Sequence, residues 1–349
     1  MRRLSRRAAL RRITGACAAM MLGDAVAVST RSRLGIVLYA LGIHQQHNWE
    51  GRHAGLSPAL AFLEECRRFR AGGVQCPFGP KDAPQVAEFR RRAEQYQMRV
   101  EAILNPPRDG ADLERFENDL KLAKEAGASL ARTVIIPGRR YERFKTLAEF
   151  RQFETRGLQS LQRAEPVLSR HKFRLAVENH KDQLIAEKLE TLRRVGSEWI
   201  GLCVDVGNNV ALMEEPLETV RAFAPLAFTV HLKDLAVQEY DEGWLLADVA
   251  LGDGFLPLKE VVDTVRRARP DVGFYLETIT RDPLKIPFRT DAFWATLPGN
   301  REETLARMNS IVNRKSVASV RSLPVAQQLQ LERRNIERSF VYAQEHLSL

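Results

Sequence analysis

Short runs of apolar and β-branched residues alternate with longer segments of helical periodicity from Arg33 to about residue 312. Short, continuously apolar runs are typical of strands that are buried on both faces, as in a parallel sheet. The longer segments repeat apolar positions every three to four residues, which is typical of helices that cover such a sheet. The predicted strands are 33–41, 73–78, 98–104, 130–136, 173–179, 199–206, 227–233 and 272–279.

The segments between these strands predict helices with recognisable ends. Pro58, Pro216 and Pro257 stand at first turns, where the missing N–H group costs nothing. Gly127 and Gly196 follow predicted helix ends, where a left-handed residue is favoured. The predicted helices are 57–70, 84–96, 110–126, 146–170, 183–195, 216–224, 257–268 and 301–312.

Eight strands, each followed by a helix, predict an α/β fold of the (β/α)8 TIM-barrel type over residues 33–312. A doubly wound open sheet has the same alternation, but usually with fewer strands and a glycine-rich loop after the first one. No G-x-G-x-x-G follows the first strand, so the barrel is favoured. The segment between the seventh strand and the helix at 257–268 is interpreted as a long loop.

The last segment, 313–349, is polar and arginine-rich and then becomes periodic after Pro324. It predicts a C-terminal helical extension that packs on the barrel wall or on a sister subunit of a homo-oligomer.

Composition describes a globular chain: 44% of the 349 residues are hydrophobic and 28% are charged. The net charge of +9 is concentrated at the start, because residues 1–27 hold six arginines against one aspartate, a net +5. The remaining +4 is spread over more than 300 residues with no basic patch interleaved with aromatics. We therefore expect no nucleic-acid partner.

Residues 1–27 have the order of an export signal: an arginine-rich start, an apolar run over 13–22, and Ala25-Val26-Ala27. Ser5-Arg6-Arg7 resembles the twin-arginine consensus, which predicts a periplasmic protein. The apolar run is far shorter than the ~20 residues that a bilayer span needs, so no stable membrane anchor is expected. A disordered basic N-terminus is the alternative.

The last four predicted strands end in side chains that can bind a metal ion. In a barrel of this type the chemistry lies at the carboxyl ends of the strands. Each polar residue follows an aliphatic one, which should face the surrounding helices. Because successive side chains point to opposite faces of a strand, the polar residues should converge inside the barrel. The polar residues are Glu178, Asp205, His231 and Glu277, after Val177, Val204, Val230 and Leu276.

Three carboxylates and an imidazole packed together would repel one another and be poorly solvated without a counter-charge. One divalent metal ion would resolve this, and the ligand types suit Mn²⁺, Mg²⁺ or Co²⁺, with Zn²⁺ also compatible. A single acid at a strand end has another common explanation, a helix cap or a surface ion pair. Four such strand ends of matching parity favour the metal site.

These strand ends resemble those of the xylose-isomerase-like TIM barrels, the sugar phosphate isomerases and epimerases. The resemblance covers 33–312 and is carried by Glu178-Asn-His, Asp205-Val-Gly-Asn, His231-Leu-Lys-Asp and Glu277, in that order. It implies that these four residues bind one divalent ion. It also implies that Glu178 and Glu277 transfer protons, as in ketose 3-epimerases, with a small-molecule carbohydrate as the substrate.

The chemistry of such a site fits a keto-sugar. A cation that chelates the carbonyl and an adjacent hydroxyl makes the neighbouring C–H acidic. One carboxylate removes that proton to give an enediolate, and the other returns a proton in epimerisation, or the proton moves to the adjacent carbon in isomerisation.

The chain also departs from the epimerase pattern. Asn208 stands where those enzymes often have a histidine, and 235–240 has no arginine after the histidine ligand. His180 shares the parity of Glu178, and Lys233 that of His231, so both are candidates for binding substrate oxygens. Asn208 is a candidate for a substrate hydroxyl or for a turn. Lys233 is equally consistent with an ion pair to Asp205.

Other functions use the same barrel. Metal-dependent lyases or hydrolases act on keto-sugars, inositols or glycosides, and export favours them because phosphorylated sugars are scarce outside the cytoplasm. A nuclease branch needs several zinc ions and more histidines than the 7 of this chain provide. A periplasmic sugar-binding barrel would bind its ligand without turnover.

Overall fold

The computed structural model describes residues 32–47, 49–313, 315–317 and 319–349. The predicted signal peptide at 1–27 lies outside the described residues. The described chain contains a closed barrel of eight parallel strands, which confirms the TIM-barrel prediction. The barrel strands are β1 (Leu34–Val37), β2 (Gly73–Pro77), β3 (Arg99–Ile103), β4 (Leu130–Thr133), β5 (Arg174–Glu178), β6 (Ile200–Asp205), β7 (Ala227–Leu232) and, after a hairpin described below, β10 (Gly273–Leu276).

Each barrel strand pairs in parallel with its neighbour in the chain, and β1 closes the ring on β10 with Ile36 opposite Leu276. β5 pairs with β6, and β6 pairs with β7, so that Asp205 lies opposite His231 near the carboxyl ends of the strands. The carboxyl ends of all eight strands therefore meet at one mouth of the barrel.

The helices lie within a few residues of their predicted positions. Four short additional helices lie in the loops, at 42–47, 49–52, 140–143 and 291–294. The helices are α1 (Gly42–His47), α2 (Trp49–Arg52), α3 (Pro58–Arg68), α4 (Val86–Gln95), α5 (Leu113–Glu125), α6 (Arg140–Arg143), α7 (Leu147–His171), α8 (Ile185–Val195), α9 (Pro216–Phe223), α10 (Leu258–Ala268), α11 (Asp291–Trp294), α12 (Arg301–Ile311) and α13 (Val325–Leu347). Within the described residues, no helix is long and apolar enough to cross a bilayer.

The segment interpreted as a long loop after the seventh barrel strand is instead a β-hairpin. Strand β8 (Asp234–Tyr240) pairs antiparallel with β9 (Gly243–Val249), and β11 (Leu284–Ile286) extends this small sheet. The alternating apolar positions Leu235 and Val237 carry the period-2 signal of these strands. Asp234 accepts hydrogen bonds from the backbone N–H groups of Gly252, Gly254 and Leu256, which fixes the turn after the hairpin.

The barrel interior is filled with side chains below the mouth. Tyr275 is buried inside, and its ring occupies the space beside Gly35 and Gly73. A Cβ atom on Gly35 would lie 2.4 Å from the ring, so glycine is what makes room for the tyrosine. This packed layer supports the polar residues above it.

The C-terminal helix is present, as predicted, and packs on loops at the barrel mouth. Glu332 on α13 is 1% exposed and accepts hydrogen bonds from the backbone N–H groups of Ile43 (2.8 Å) and His44 (2.9 Å). Its carboxylate also lies 2.7 Å from His44 Nδ1. Asn335 donates to Thr280 beyond β10, and Ser339 accepts from the backbone of Leu251. The helix therefore ties together loops that follow β1, β9 and β10.

We expect Glu332→Ala to lower the free energy of unfolding by roughly 2–4 kcal/mol, because it leaves buried donors of α1 without an acceptor. Urea unfolding followed by circular dichroism measures this change. Glu337→Ala is the matched control: Glu337 is exposed on the same helix and forms an ion pair with Arg333 at 2.8 Å. We expect an effect below about 0.5 kcal/mol there. Equal losses in the two variants would contradict the anchoring role of Glu332.

Candidate metal centre and active site

Four ligand-type side chains converge at the mouth of the barrel. Glu178, Asp205, His231 and Glu277 each offer one atom, and these atoms all lie within 4.8 Å of one another. Glu178, Asp205 and His231 are 0% exposed and Glu277 is 3% exposed. The structure thus brings together the four residues that strand parity selected.

The imidazole of His231 is held in one tautomer by the residues beside it. Its Nε2 lies 2.7 Å from Oε1 of Gln75, and the amide nitrogen of Gln75 donates to Glu101 at 2.9 Å. Because the Gln75 oxygen accepts a hydrogen bond from Nε2, Nδ1 is the ring nitrogen that faces the carboxylates. Burial disfavours the charged ring, but Glu277 and Glu178 raise the pKa of His231 above its ordinary value. Nδ1 is buried and has no hydrogen-bond partner among the described residues; it lies 3.3 Å from Glu277 Oε1 and 3.5 Å from Glu178 Oε2.

A buried arginine that the sequence analysis did not select lies beside Glu178. Arg132 on β4 pairs with the Glu178 carboxylate through Nε and Nη2. Burial disfavours the charged form of Glu178, but Arg132 together with His231 and His180 opposes burial, and the pKa of Glu178 is lowered. A charged residue in the middle of the apolar run 130–136 was the available sequence signal.

Lys233 forms the ion pair with Asp205 that was one of the two roles predicted for it. It also lines a cavity above the site, described below. Its Nζ lies 2.7 Å from Asp205 Oδ2 and 2.8 Å from Glu277 Oε2. Burial raises the pKa of Asp205 to about 7, and Lys233 opposes that shift. Burial acts on Glu277 in the same direction, but His231 and Lys233 hold the pKa of Glu277 well below its ordinary value.

Arg132 and Lys233 change the prediction that the carboxylates need a metal ion as their counter-charge. Arg132 and Lys233 already offset two of the three negative charges, so repulsion among the carboxylates does not by itself require a divalent ion. What does favour one is the donor set, in which the buried Nδ1 of His231 faces two carboxylates. Carboxylate oxygens and one imidazole nitrogen at these separations fit a single divalent cation.

Asn208 positions residues of the site rather than facing the cavity. Its amide nitrogen donates to Glu178 Oε1 at 3.0 Å, and its oxygen accepts from Lys181. Its backbone N–H, like that of Gly207, donates to Asp205 Oδ1, so the turn that was predicted as one alternative is present.

A cavity of about 450 Å³ opens above these residues. His180 lines the cavity, and its Nδ1 is buried with no hydrogen-bond partner in the described part of the chain. Burial lowers the pKa of His180 to about 4, so the ring is neutral at neutral pH. The lining residues are Tyr39, Gly42, Gln45, Arg132, Val134, Pro137, Gly138, Arg139, His180, Lys181, Lys233, Glu277, Ile279 and Arg281.

The loop after β5 is anchored by a buried ion pair. Lys188 Nζ lies 3.1 Å from Asp182 Oδ2 and donates to the carbonyl of Glu178 at 3.0 Å. The other oxygen of Asp182 accepts from the backbone N–H groups of His180 and Gln183. These contacts fix the segment that carries His180 and Lys181 into the cavity.

Two arginines lie at the mouth of the barrel on segments other than 235–240, where an arginine was expected after the histidine ligand. Arg139 follows β4, and Arg281 follows β10 and lies 3.4 Å from Asp248 on β9. Tyr39, directly after β1, lies at the same mouth with Arg132 over its ring at 5.6 Å. Loop residues such as these follow no strand parity, so the sequence pattern did not identify them.

Comparison with known proteins agrees with this architecture. A family described as "Xylose isomerase-like TIM barrel" matches residues 40–308. A 3-oxo-isoapionate decarboxylase from Pectobacterium atrosepticum is 26% identical over 115 residues, which is 32% of this chain and 42% of that protein. The match therefore spans less than half of that relative's length.

Several solved structures share the fold at low sequence identity. An L-ribulose 3-epimerase superposes with a TM-score of 0.57 at 14% identity, covering 91% of this chain and 95% of that one. A D-psicose 3-epimerase gives 0.53 at 14% identity, covering 82% and 93%. A 3-keto-D-glucoside 4-epimerase from E. coli gives 0.53 at 13% identity, covering 80% and 99%. Because the family match covers most of the barrel, the chain belongs to the xylose isomerase-like TIM barrel family.

Proposed function

We propose that this protein is a divalent-metal-dependent isomerase or epimerase of a keto-sugar or related polyol. The observation that carries the proposal is the pair Glu178 and Glu277, whose carboxylates face one imidazole nitrogen at 3.5 and 3.3 Å. Glu277 also lines the cavity of about 450 Å³, which is large enough for a sugar. Two carboxylates around one reaction centre can remove a proton and return one.

Glu178, Asp205, His231 and Glu277 would hold one divalent ion, Mn²⁺, Mg²⁺, Co²⁺ or Zn²⁺. When bound, the ion would polarise the sugar carbonyl and stabilise negative charge on its oxygen. Gln75 would keep Nδ1 of His231 available as a ligand by accepting the Nε2 proton.

The other residues of the site have roles that follow from their contacts. Glu277, which lines the cavity, would remove a proton from substrate carbon, and Glu178 would return one after it has itself taken up a proton from solvent. Arg132 orients the carboxylate of Glu178, and Lys233 orients that of Glu277. His180, neutral and with a free Nδ1, would bind a substrate hydroxyl.

A second candidate is a lyase or decarboxylase of an oxidised sugar, and the partial match to a 3-oxo-isoapionate decarboxylase favours it. Loss of CO₂ from a 3-oxo acid and loss of a proton next to a carbonyl leave the same kind of carbanion. The same cation would stabilise both, so the two reactions differ in the leaving group and in what the cavity binds.

A test of the function uses the metal-loaded protein in D₂O with D-fructose, D-tagatose and a 3-keto-glucoside. An isomerase or epimerase should place deuterium on a carbon next to the carbonyl, which NMR detects, with no carbon lost. We expect Glu178→Gln and Glu277→Gln to reduce this exchange by about 10²–10⁴-fold. Release of CO₂ from a 3-oxo sugar acid, with no exchange into any ketose, would favour the second candidate.

Metal content tests the ligand set separately. We expect Asp205→Ala and His231→Ala to lose the ion, from about one per chain to under about 0.1 by elemental analysis, because each removes a ligand that the rest cannot replace. The two Glu→Gln variants should keep the ion and lose turnover. Glu65→Gln is the control, since Glu65 is a buried carboxylate 2.7 Å from a histidine, His53, on the outer helices. Unchanged metal in all four site variants would refute the centre.

We also propose that the protein is exported to the periplasm by a twin-arginine-type signal. The support is the sequence order of residues 1–27. We expect Arg6→Lys with Arg7→Lys to retain the protein in the cytoplasm, as measured by osmotic-shock fractionation. The same change at Arg11 and Arg12 is the control and should leave export intact.

A further inference from the structure

Cationic side chains outnumber acidic ones among the described residues that line the cavity above the candidate ligands. Five basic side chains reach it, whereas Glu277 is its only acidic lining residue within the described part of the chain. A neutral sugar gains little from such a lining, because its hydroxyls are recognised equally well by uncharged donors and acceptors. The basic residues are Arg132, Arg139, Lys181, Lys233 and Arg281.

Four of these five cations are neutralised by carboxylates of the protein. Lys181 differs from them, because across the described ranges no carboxylate lies within 4.0 Å of its Nζ. Its ammonium instead donates to the neutral oxygen of Asn208. The ion pairs of the other four are Arg132 with Glu178, Arg139 with Glu142, Lys233 with Asp205 and Glu277, and Arg281 with Asp248.

The backbone holds Lys181 in this position at a cost. Lys181 is 7% exposed and has φ of +57°, a left-handed conformation that is unfavourable for a side-chain-bearing residue. Its carbonyl accepts from the backbone N–H of Arg140 at 3.0 Å, which secures the loop. Burying an ammonium without an opposite charge is unfavourable, and both costs suit a residue placed to meet an anion.

We propose that the substrate is a sugar acid whose carboxylate lies against Nζ of Lys181, an inference that rests on the proposed function. One ammonium that is paired with no carboxylate of the protein matches one substrate carboxylate, whereas a phosphate dianion would call for a second unpaired cation or a fork of arginine donors. A bound divalent ion adds further positive charge beside Lys181, which also favours an anionic ligand.

Binding of matched probes to the metal-loaded protein tests this inference. The probes are D-fructose, 5-keto-D-gluconate and D-fructose 6-phosphate, which present no anion, a carboxylate and a phosphate on comparable six-carbon chains. Isothermal titration calorimetry gives each Kd. We expect the keto acid to bind about 10–100-fold more tightly than D-fructose, the gain typical of a charge-assisted hydrogen bond.

Variants assign the preference to Lys181. Lys181→Met should remove the preference for the keto acid over D-fructose, and Lys181→Arg should keep most of that preference because the charge remains. Lys172→Met is the matched control, since Lys172 is an exposed lysine at φ +50°, the C-cap of α7, outside the cavity. Lys172→Met should prefer the keto acid over D-fructose as strongly as the unmodified protein does. Unfolding midpoints of all three variants show whether each is folded.

Equal affinity for D-fructose and the keto acid would overturn the inference, as would tighter binding of the phosphate. Binding of none of the probes, or a preference that survives in folded Lys181→Met, would overturn it as well. The proposed function is judged by a different readout, deuterium exchange in D₂O, so either can fail alone. Exchange into neutral ketoses without a carboxylate preference would retain the isomerase and reject the sugar acid.

Discussion

The structure of the site depends on burying three carboxylates at one end of a barrel together with the cations that neutralise them. Ligand atoms of Glu178, Asp205 and Glu277 lie within 4.8 Å of one another, and all three side chains are buried. Such a cluster is stable only where opposite charges are equally close, since an isolated buried carboxylate would take up a proton instead. Arg132 and Lys233 supply those charges, and the pKa values of Glu178 and Glu277 are lowered as a result.

The barrel and the hydrogen bonds around the mouth give this cluster its geometry. Each ligand stands at the end of a strand whose register is fixed by its neighbours, as Asp205 opposite His231 illustrates. Below, Tyr275 fills the interior against glycines. Beside the mouth, Glu332 of α13 fixes the loop after β1. The polar groups therefore rest on packed and hydrogen-bonded supports, which is what precise placement of reacting groups requires.

The sequence predicted the parts that follow from a repeating period. Period-2 parity located the inward face of four strands, and the alternation of strands and helices predicted the barrel. It did not reveal Arg132, because a strand-centre arginine is recognised as a partner only once β4 and β5 are known to be adjacent. Lys181 lies in a loop, where no period applies. The hairpin β8–β9 was missed although Leu235 and Val237 alternate, because the TIM-barrel pattern calls for a loop there.

The charges of the site link the two proposals to each other. Arg132 and Lys233 are paired with the three central carboxylates and offset two of their negative charges, and Lys181 adds one positive charge that is paired with none of them. The formal charges of these six groups therefore sum to zero when His231 serves as a neutral ligand. A divalent cation that joins this set leaves an excess of two positive charges in a buried cavity. An anionic substrate reduces that excess, and negative charge that develops on the substrate during proton removal reduces it further. Each ligand then increases the affinity for the other by the same factor, because coupling between two binding equilibria is reciprocal. A site of this kind binds its metal more tightly when a sugar acid is present, which a neutral sugar would not achieve to the same degree.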